Sequence, residues 1–216
     1  MQVKSFKVSQ GTIKNICYLI YQDRQGVLID PAWDYDLIDQ FLAIHGISIS
    51  AIVLTHAHYD HTNLAARFSE AKKVPVIMSA IEIETSGFEL PNMIKVHHMQ
   101  SIRSGLLNIL PIVTPGHTQG STCYLIGDHL FCGDTIFPEG VGLCGKDQAS
   151  ELYDSVQLIK NILPPSTFVW SGHSYGEAPG KSLSFFKRNN IYFQLNRQQF
   201  ISYRNRKNKP DPYAFK

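Results

Sequence analysis

Apolar positions recur along the chain with a period near two in short stretches and near 3.6 in a few longer ones, which places strands and helices before any residue is given a chemical role. The shorter period, or a brief unbroken apolar run, predicts strands over 3–8, 13–21, 26–29, 51–54, 76–78, 106–113, 121–126 and 130–132, with one more near 167–170. The longer period predicts helices over 34–44, 62–70, 80–86, 150–163 and 182–189. Asp128 and His129 fall between two strands and read as a hairpin turn. Leu183, Phe185 and Phe186 lie on a helical pattern and read as core. Periodicity alone allows a generic α/β domain and does not choose its layers.

The 216 residues fit one domain that buries most of its apolar surface, with no tandem repeat or low-complexity tract to divide it. We place that domain over 1–195 and a basic C-terminal tail over 196–216. Arg204, Arg206, Lys207, Lys209 and Lys216 stand there against one acid, Asp211, so most of the net charge of +2 is assigned to this end. The tail is too short, and too poor in any reading module, to predict nucleic-acid binding. No apolar run approaches the ~18 residues that span a bilayer, and the first residues lack the apolar region of a signal peptide. A cytoplasmic protein without membrane contact is expected. Of the four cysteines, Cys17, Cys123 and Cys132 lie in apolar runs and read as small hydrophobes. With no C-x-x-C spacing, no disulfide is expected. Cys144, in G-L-C-G near the proposed site, reads as a buried or inert thiol, with a reactive one as the alternative.

The chemistry is concentrated in four short segments: T-H-A-H-Y-D-H at 55–61, T-P-G-H-T at 114–118, G-D-T at 133–135 and S-G-H-S-Y at 171–175. Each follows a predicted strand, and three set a His or Asp beside glycine, which lets the backbone turn sharply and approach a ligand closely. His56 and His58, two apart on an extended loop, project to one side. His61 is expected to close a turn just before the helical pattern at 62–70, with Asp60 beside it, so one loop offers ligands in two directions. Any one of these histidines alone reads as an ordinary satisfied polar residue. Four such clusters at strand ends predict a centre for two metal ions. His45, at a helix end before Gly46, His97 and His98, in a loop or edge strand, and His129 are not expected to be ligands.

The H-A-H-Y-D-H segment, followed in order by P-G-H-T, G-D-T and G-H-S-Y, resembles the metallo-β-lactamase superfamily, and within it the glyoxalase II-like hydrolases, over residues 8–193. The resemblance implies an αββα sandwich of the α+β class. It implies His56, His58 and His117 on one metal, Asp60, His61 and His173 on the other, and Asp134 bridging them. It also implies that Asp30, in L-I-D-P-A, supports the ligands from behind; an Asx turn before Pro31 is the alternative. The stretches G-T-I-K-N-I-C-Y-L-I-Y, I-D-P-A-W-D, F-P-E-G-V-G-L-C and L-Y-D-S-V-Q-L-I-K are similar to the zinc-dependent hydrolases of trans-acyltransferase polyketide clusters, the PksB/BaeB type. That likeness implies an acyl thioester hydrolase in polyketide biosynthesis, with an acyl group on an acyl carrier protein as its substrate.

Imidazole and carboxylate ligands suit zinc, with iron and manganese as alternatives, and two Zn2+ are the expected cofactors. Two cations sharing Asp134 lower the pKa of a bridging water to about 7 or below and supply hydroxide without a protein nucleophile. Asp60 is expected to orient that hydroxide as well as bind metal, which makes it the candidate catalytic residue. A thiolate leaves without a strong acid because thiols have a pKa near 8.5. Tyr175 matches a tyrosine that contacts glutathione in glyoxalase II, and reads equally as a packing residue. The basic residues of that family's glutathione pocket are not clearly reproduced, Lys146 being an approximate stand-in. The segments 137–147 and 79–98 are expected to line the entrance. The basic tail would steer an acidic carrier protein toward the site, or be a solvated terminus. A mononuclear iron persulfide dioxygenase using His56, His117 and Asp134, a glyoxalase II acting on glutathione thioesters, and a noncatalytic carrier-binding protein are the other readings.

Overall fold

Two six-stranded sheets, described over residues 1–206 of a computed structural model, pack face to face with helices on both outer surfaces. The first sheet contains β1 (Gln2–Gln10), β2 (Ile13–Gln22), β3 (Gln25–Ile29), β4 (Ser48–Val53), β5 (Val76–Ser79) and β6 (Met93–Val96), in that spatial order. The second contains β7 (Ile102–Ser104), β8 (Leu107–Val113), β9 (Thr122–Ile126) and β10 (His129–Gly133). A small hairpin follows, β11 (Ile136–Phe137) with β12 (Gly140–Val141), before β13 (Phe168–Ser171) and β14 (Lys181–Ser182) complete the second sheet in the order β14-β13-β10-β9-β8-β7. The helices are α1 (Tyr35–His45), α2 (Tyr59–Thr62), α3 (Ala65–Lys72), α4 (Ala80–Ser86), α5 (Ala149–Ile162), α6 (Leu183–Asn189) and α7 (Arg197–Arg204).

The central strands are apolar on both faces because each face meets a packed layer. In β2, Cys17 and Leu19 face α1 and α3, while Ile16, Tyr18 and Ile20 face the other sheet. In β10, Leu130 and Cys132 face α5 and α6, while Phe131 points between the sheets. This is the αββα sandwich that the resemblance implies. Two tyrosines buried between the sheets tie them together at one edge: Tyr18 donates its hydroxyl to Ser171 O at 2.5 Å and Tyr124 to Leu54 O at 3.1 Å. Buried tyrosine hydroxyls need such acceptors. These carbonyls belong to residues just before His173 and His56, so the core fixes the starting points of two candidate ligand loops.

Several expectations change. The helix predicted over 62–70 is broken into α2 and α3, and His61 lies inside α2 rather than closing a turn before it. The short or edge strands β6, β7, β11, β12 and β14 were not predicted. The tail placed at 196–216 begins as packed structure: α7 buries Phe200 in the core cluster that faces α5, and Arg204 is only 4% exposed, donating to Gly142 O at 2.9 Å. Arg204 is therefore not a free surface charge. Lys207, Lys209, Asp211 and Lys216 lie outside the described residues. No described helix is long and apolar enough to cross a membrane.

Candidate metal centre

Strand direction brings the four motifs together. β3 and β4 are parallel, β10 and β13 are parallel, and β8 shares their direction because both β8 and β10 are antiparallel to β9. The segments leaving the carboxyl ends of these strands carry Asp30, His56 to His61, His117, Asp134 and His173. Ligand sites in sheets of this kind favour that end. Backbone hydrogen bonds between loops lock the edge: Thr122 N to Thr55 O at 2.9 Å, Gly172 N to Gly133 O at 2.8 Å and Ile16 N to Gly172 O at 2.8 Å.

Three histidines face one another on one side. His58 Nδ1 lies 3.1 Å from both His56 Nε2 and His117 Nε2. On the other side, His61 Nε2 lies 3.3 Å from His173 Nε2, and Asp60 Oδ2 is 3.7 Å and 3.5 Å from those two nitrogens. Asp134 stands between, Oδ1 at 3.3 Å from His61 Nε2 and Oδ2 at 3.4 Å from His173 Nε2 and 3.7 Å from His117 Nε2. The overlapping groups His56–His58–His117, His56–His61–Asp134 and Asp60–His61–His173 each have their donor atoms within 4.8 Å. Together they suit a binuclear metal site. The two directions expected of the H-A-H-Y-D-H loop arise because His58 is the N-cap of α2, whose single turn rotates Asp60 and His61 away from His56 and His58.

The outward ring nitrogens decide what faces inward. His117 Nδ1 contacts Leu143 O at 2.6 Å and His173 Nδ1 contacts Lys14 O at 2.5 Å. A carbonyl only accepts, so each Nδ1 carries a proton, and Nε2 is the nitrogen that faces the centre and offers its lone pair there whenever the ring is neutral. His61 Nδ1 meets Asp30 Oδ2 at 3.0 Å, and the same carboxylate accepts from Thr55 N at 2.8 Å and from the Thr55 hydroxyl at 2.6 Å. Among the described residues, Asp134 Oδ1 is buried without a hydrogen-bond partner. Ring nitrogens that face inward around a buried carboxylate, each able to give its lone pair once its ring is neutral, fit divalent cations of the kind nitrogen and oxygen ligands select.

Electrostatics differ between the two sides. Burial, reinforced by neighbouring imidazoles, pushes His56 well below the ordinary histidine range, and burial with His117 lowers His58. At His61 and His173 burial acts the same way but is outweighed. Asp134 and Asp30 push His61 up to about 10, and Asp134 and Asp60 push His173 up to about 11. Burial opposes ionisation of Asp60 and Asp134 as well, yet the adjacent His61 and His173 hold both below the usual carboxylate range.

Glycine is required at two positions here. A Cβ on Gly133, whose φ is +47°, would sit 2.2 Å from Thr55 Oγ1, and one on Gly172 would sit 2.5 Å from His61 Cε1 and 2.8 Å from Asp134 Oδ1. Tyr175 lies beside the centre, its ring nearly parallel to His173 at 6.2 Å and edge-on to Phe137 at 5.4 Å. That is packing contact, and it places the tyrosine next to a candidate ligand. The 137–147 segment reaches the site through Leu143 O. His129 does not: it stacks on Phe168 and accepts from Trp170 Nε1 at 3.1 Å. Sequence reasoning did not find Asn15, Trp33, Thr55 or Glu82. Asn15 Nδ2 donates to Asp60 Oδ2 at 2.9 Å and Asn15 Oδ1 accepts the Trp33 indole at 2.7 Å. Glu82 bonds the H-A-H loop to the P-G-H-T loop.

An αββα sandwich that gathers overlapping His/Asp triads at one strand edge defines a class of binuclear metal proteins. The chain belongs to the Metallo-beta-lactamase superfamily, whose profile matches residues 15–173. It is 40% identical over 220 residues to the "Probable polyketide biosynthesis zinc-dependent hydrolase BaeB" of Bacillus velezensis, spanning 100% of this chain and 98% of that one. It is 38% identical to the corresponding PksB protein of Bacillus subtilis, over 94% of this chain and 92% of PksB. Among solved structures, ETHE1 from Myxococcus xanthus superposes with a TM-score of 0.85 at 31% identity, covering 100% of this chain and 95% of ETHE1.

Proposed function

We propose that this protein is a dizinc hydrolase that releases acyl groups from thioesters on a carrier thiol, an acyl carrier protein foremost, in polyketide biosynthesis. The observation that carries the reading is the convergence of His56, His58, Asp60, His61, His117, Asp134 and His173 at one strand edge, in a chain similar to BaeB from end to end. His56, His58 and His117 would hold one ion, Asp60, His61 and His173 the other, and Asp134 would bridge. Two bound divalent cations supply an acidified water and a Lewis acid for the acyl carbonyl. The protein orients the reacting groups. His173 and His61, with Asn15 after them, hold Asp60 anionic, Asn15 fixes the plane of its carboxylate, the carbonyls of Leu143 and Lys14 fix the tautomers of His117 and His173, and the departing thiolate needs no strong acid. Tyr175, stacked beside His173, is assigned a contact with the thiol portion of the substrate.

Elemental analysis with thiol release from a panel of acyl thioesters tests this. Two zincs per chain with thiol release is the expected result. One iron per chain, oxygen uptake and no thiol release would replace it with the persulfide dioxygenase reading. Preference for glutathione thioesters over carrier-bound ones would move the assignment to glyoxalase II.

A further inference from the structure

Glu82 is 1% exposed, belongs to α4 and touches none of the candidate ligands, yet both its oxygens are used on the loops that carry them. Oε1 accepts from Ala57 N at 2.8 Å, and Ala57 stands between His56 and His58. Oε2 accepts from the Thr118 hydroxyl at 2.7 Å and from Gly120 N at 3.0 Å, and Thr118 directly follows His117. One buried carboxylate thus spans the two loops that supply the His56–His58–His117 triad. We propose that Glu82 is the positioning residue of this triad, setting the gap between His58 and His117, and that it has no comparable effect on the Asp60–His61–His173 triad.

The polarity of the network leaves little freedom. Ser121 Oγ accepts from Thr118 N at 3.0 Å, and the Thr118 and Ser121 hydroxyls are 2.6 Å apart. Because the Thr118 proton goes to Glu82, Ser121 donates to Thr118. The backbone is equally constrained: a Cβ on Gly120 would fall 2.1 Å from Glu82 N, so the P-G-H-T loop lies against the start of α4. Two of the three donors are backbone N–H groups that cannot reverse, one at each oxygen. Only a side chain with two acceptor oxygens satisfies both, and glutamine satisfies one. His61 and His173 have a different anchorage, through Asp30 and Lys14 O. Partners that hydrogen-bond metal ligands directly contribute about 10–100-fold in metal affinity, and Glu82, which acts through the residues beside the ligands, is assigned the lower end of that range.

This inference rests on the metal part of the proposed function, and the test separates the two. Glu82→Gln is introduced into two backgrounds, Asp60→Ala/His173→Ala, which retains the His56–His58–His117 triad, and His58→Ala/His117→Ala, which retains ligands of the other. Zinc affinity is read by competition with a chromophoric chelator, and the Co2+ absorption spectrum reports coordination. The expected result is a loss of about 10-fold or more in the first background with a changed Co2+ spectrum, and no loss in the second. Equal losses in both, or none in the first, would overturn the inference. If the first background takes up no zinc even with Glu82 present, the metal assignment fails, and amide hydrogen exchange of the metal-free wild-type chain decides on Glu82. Faster exchange at Ala57 or Gly120 in Glu82→Gln upholds the strut, and unchanged exchange at both refutes it.

Discussion

Asn15 donates its side-chain amide to Asp60 Oδ2 across 2.9 Å while its own carbonyl oxygen accepts the indole N–H of Trp33 at 2.7 Å. Indole nitrogen is a donor only, so Trp33 decides which way the buried Asn15 amide faces. A flipped amide would set N–H against N–H at Trp33 and oxygen against carboxylate at Asp60. Trp33 holds a left-handed conformation, φ +66°, that a bulky residue seldom adopts, and Asn63 Oδ1 secures its backbone N–H at 2.9 Å. We expect Asn15→Leu to lower turnover about 10–100-fold through the Asp60 metal. Trp33→Phe, which keeps an aromatic side chain and removes the N–H, should act in the same direction with a smaller effect. Steady-state kinetics with metal analysis checks both, and full activity in Asn15→Leu would show that the orientation of Asp60 does not matter.

Asp30 separates stability from metal binding. Asp30→Ala leaves the buried Thr55 N–H without its acceptor and frees His61. It should cost about 1–3 kcal/mol of stability, a fall in Tm of roughly 2–12 °C for a chain of this size, together with about 10–100-fold in metal affinity. Asp30→Asn can still accept from Thr55 N but cannot receive His61 Nδ1–H with its amide nitrogen. Its expected signature is a small change in Tm with the same metal loss, read by thermal unfolding of chelated protein and by zinc titration. Parallel losses in both properties would mean that Asp30 serves the fold alone.

Gly172 cannot yield. Its N–H is bonded to Gly133 O and its carbonyl to Ile16 N, so the Cβ of Gly172→Ala must displace His61 and Asp134 instead. The variant should keep its circular dichroism spectrum and lose one of two metals together with nearly all activity. Two retained metals would show that the ligands adjust to the methyl group.

The parts legible in the sequence were those where physical demands coincided. Apolar runs such as 51–54 are strands buried on both faces, and the ligand motifs follow them directly, so the five strands that lead into the site, β3, β4, β8, β10 and β13, and the converging His and Asp residues are placed by pattern. β6 was missed because an edge strand with Ile94 and Lys95 exposed carries no clear alternation, and β11 and β12 are too short to have a period. Charge alone does not describe the tail, because its first residues are a capped helix. Asn196 and Gln199 form a capping box, a signal readable in N-R-Q-Q, and Phe200 buries the helix they begin. Asn15 and Glu82 were invisible for a different reason: each lies far along the chain from the ligand it serves, and nothing local marks a polar residue that will be buried.

Metal loading should be linked to protons on one side of the centre only. In the metal-free protein His61 and His173 are pushed up to about 10 and 11 by Asp134, Asp30 and Asp60 against the effect of burial, whereas His56 and His58 are lowered. An unfolded histidine titrates near 6.5. Folded-state values above it mean that the imidazolium–carboxylate contacts stabilise the metal-free fold fully below pH ~6.5, and that this contribution is lost as pH rises through about 10 to 11. A metal ion needs neutral imidazoles, so at pH 7 it must displace about one proton each from His61 and His173 and none from His56 or His58. Zinc titration calorimetry in buffers of different ionisation enthalpy should show a first equivalent with little proton release and a second that releases about two to three, two from His61 and His173 and up to one from the acidified water, with second-site affinity rising from pH 7 to 9. The Tm of chelated protein should fall over the alkaline range while that of the zinc-loaded protein holds. Equal proton release by both equivalents would mean that the two triads are not electrostatically distinct.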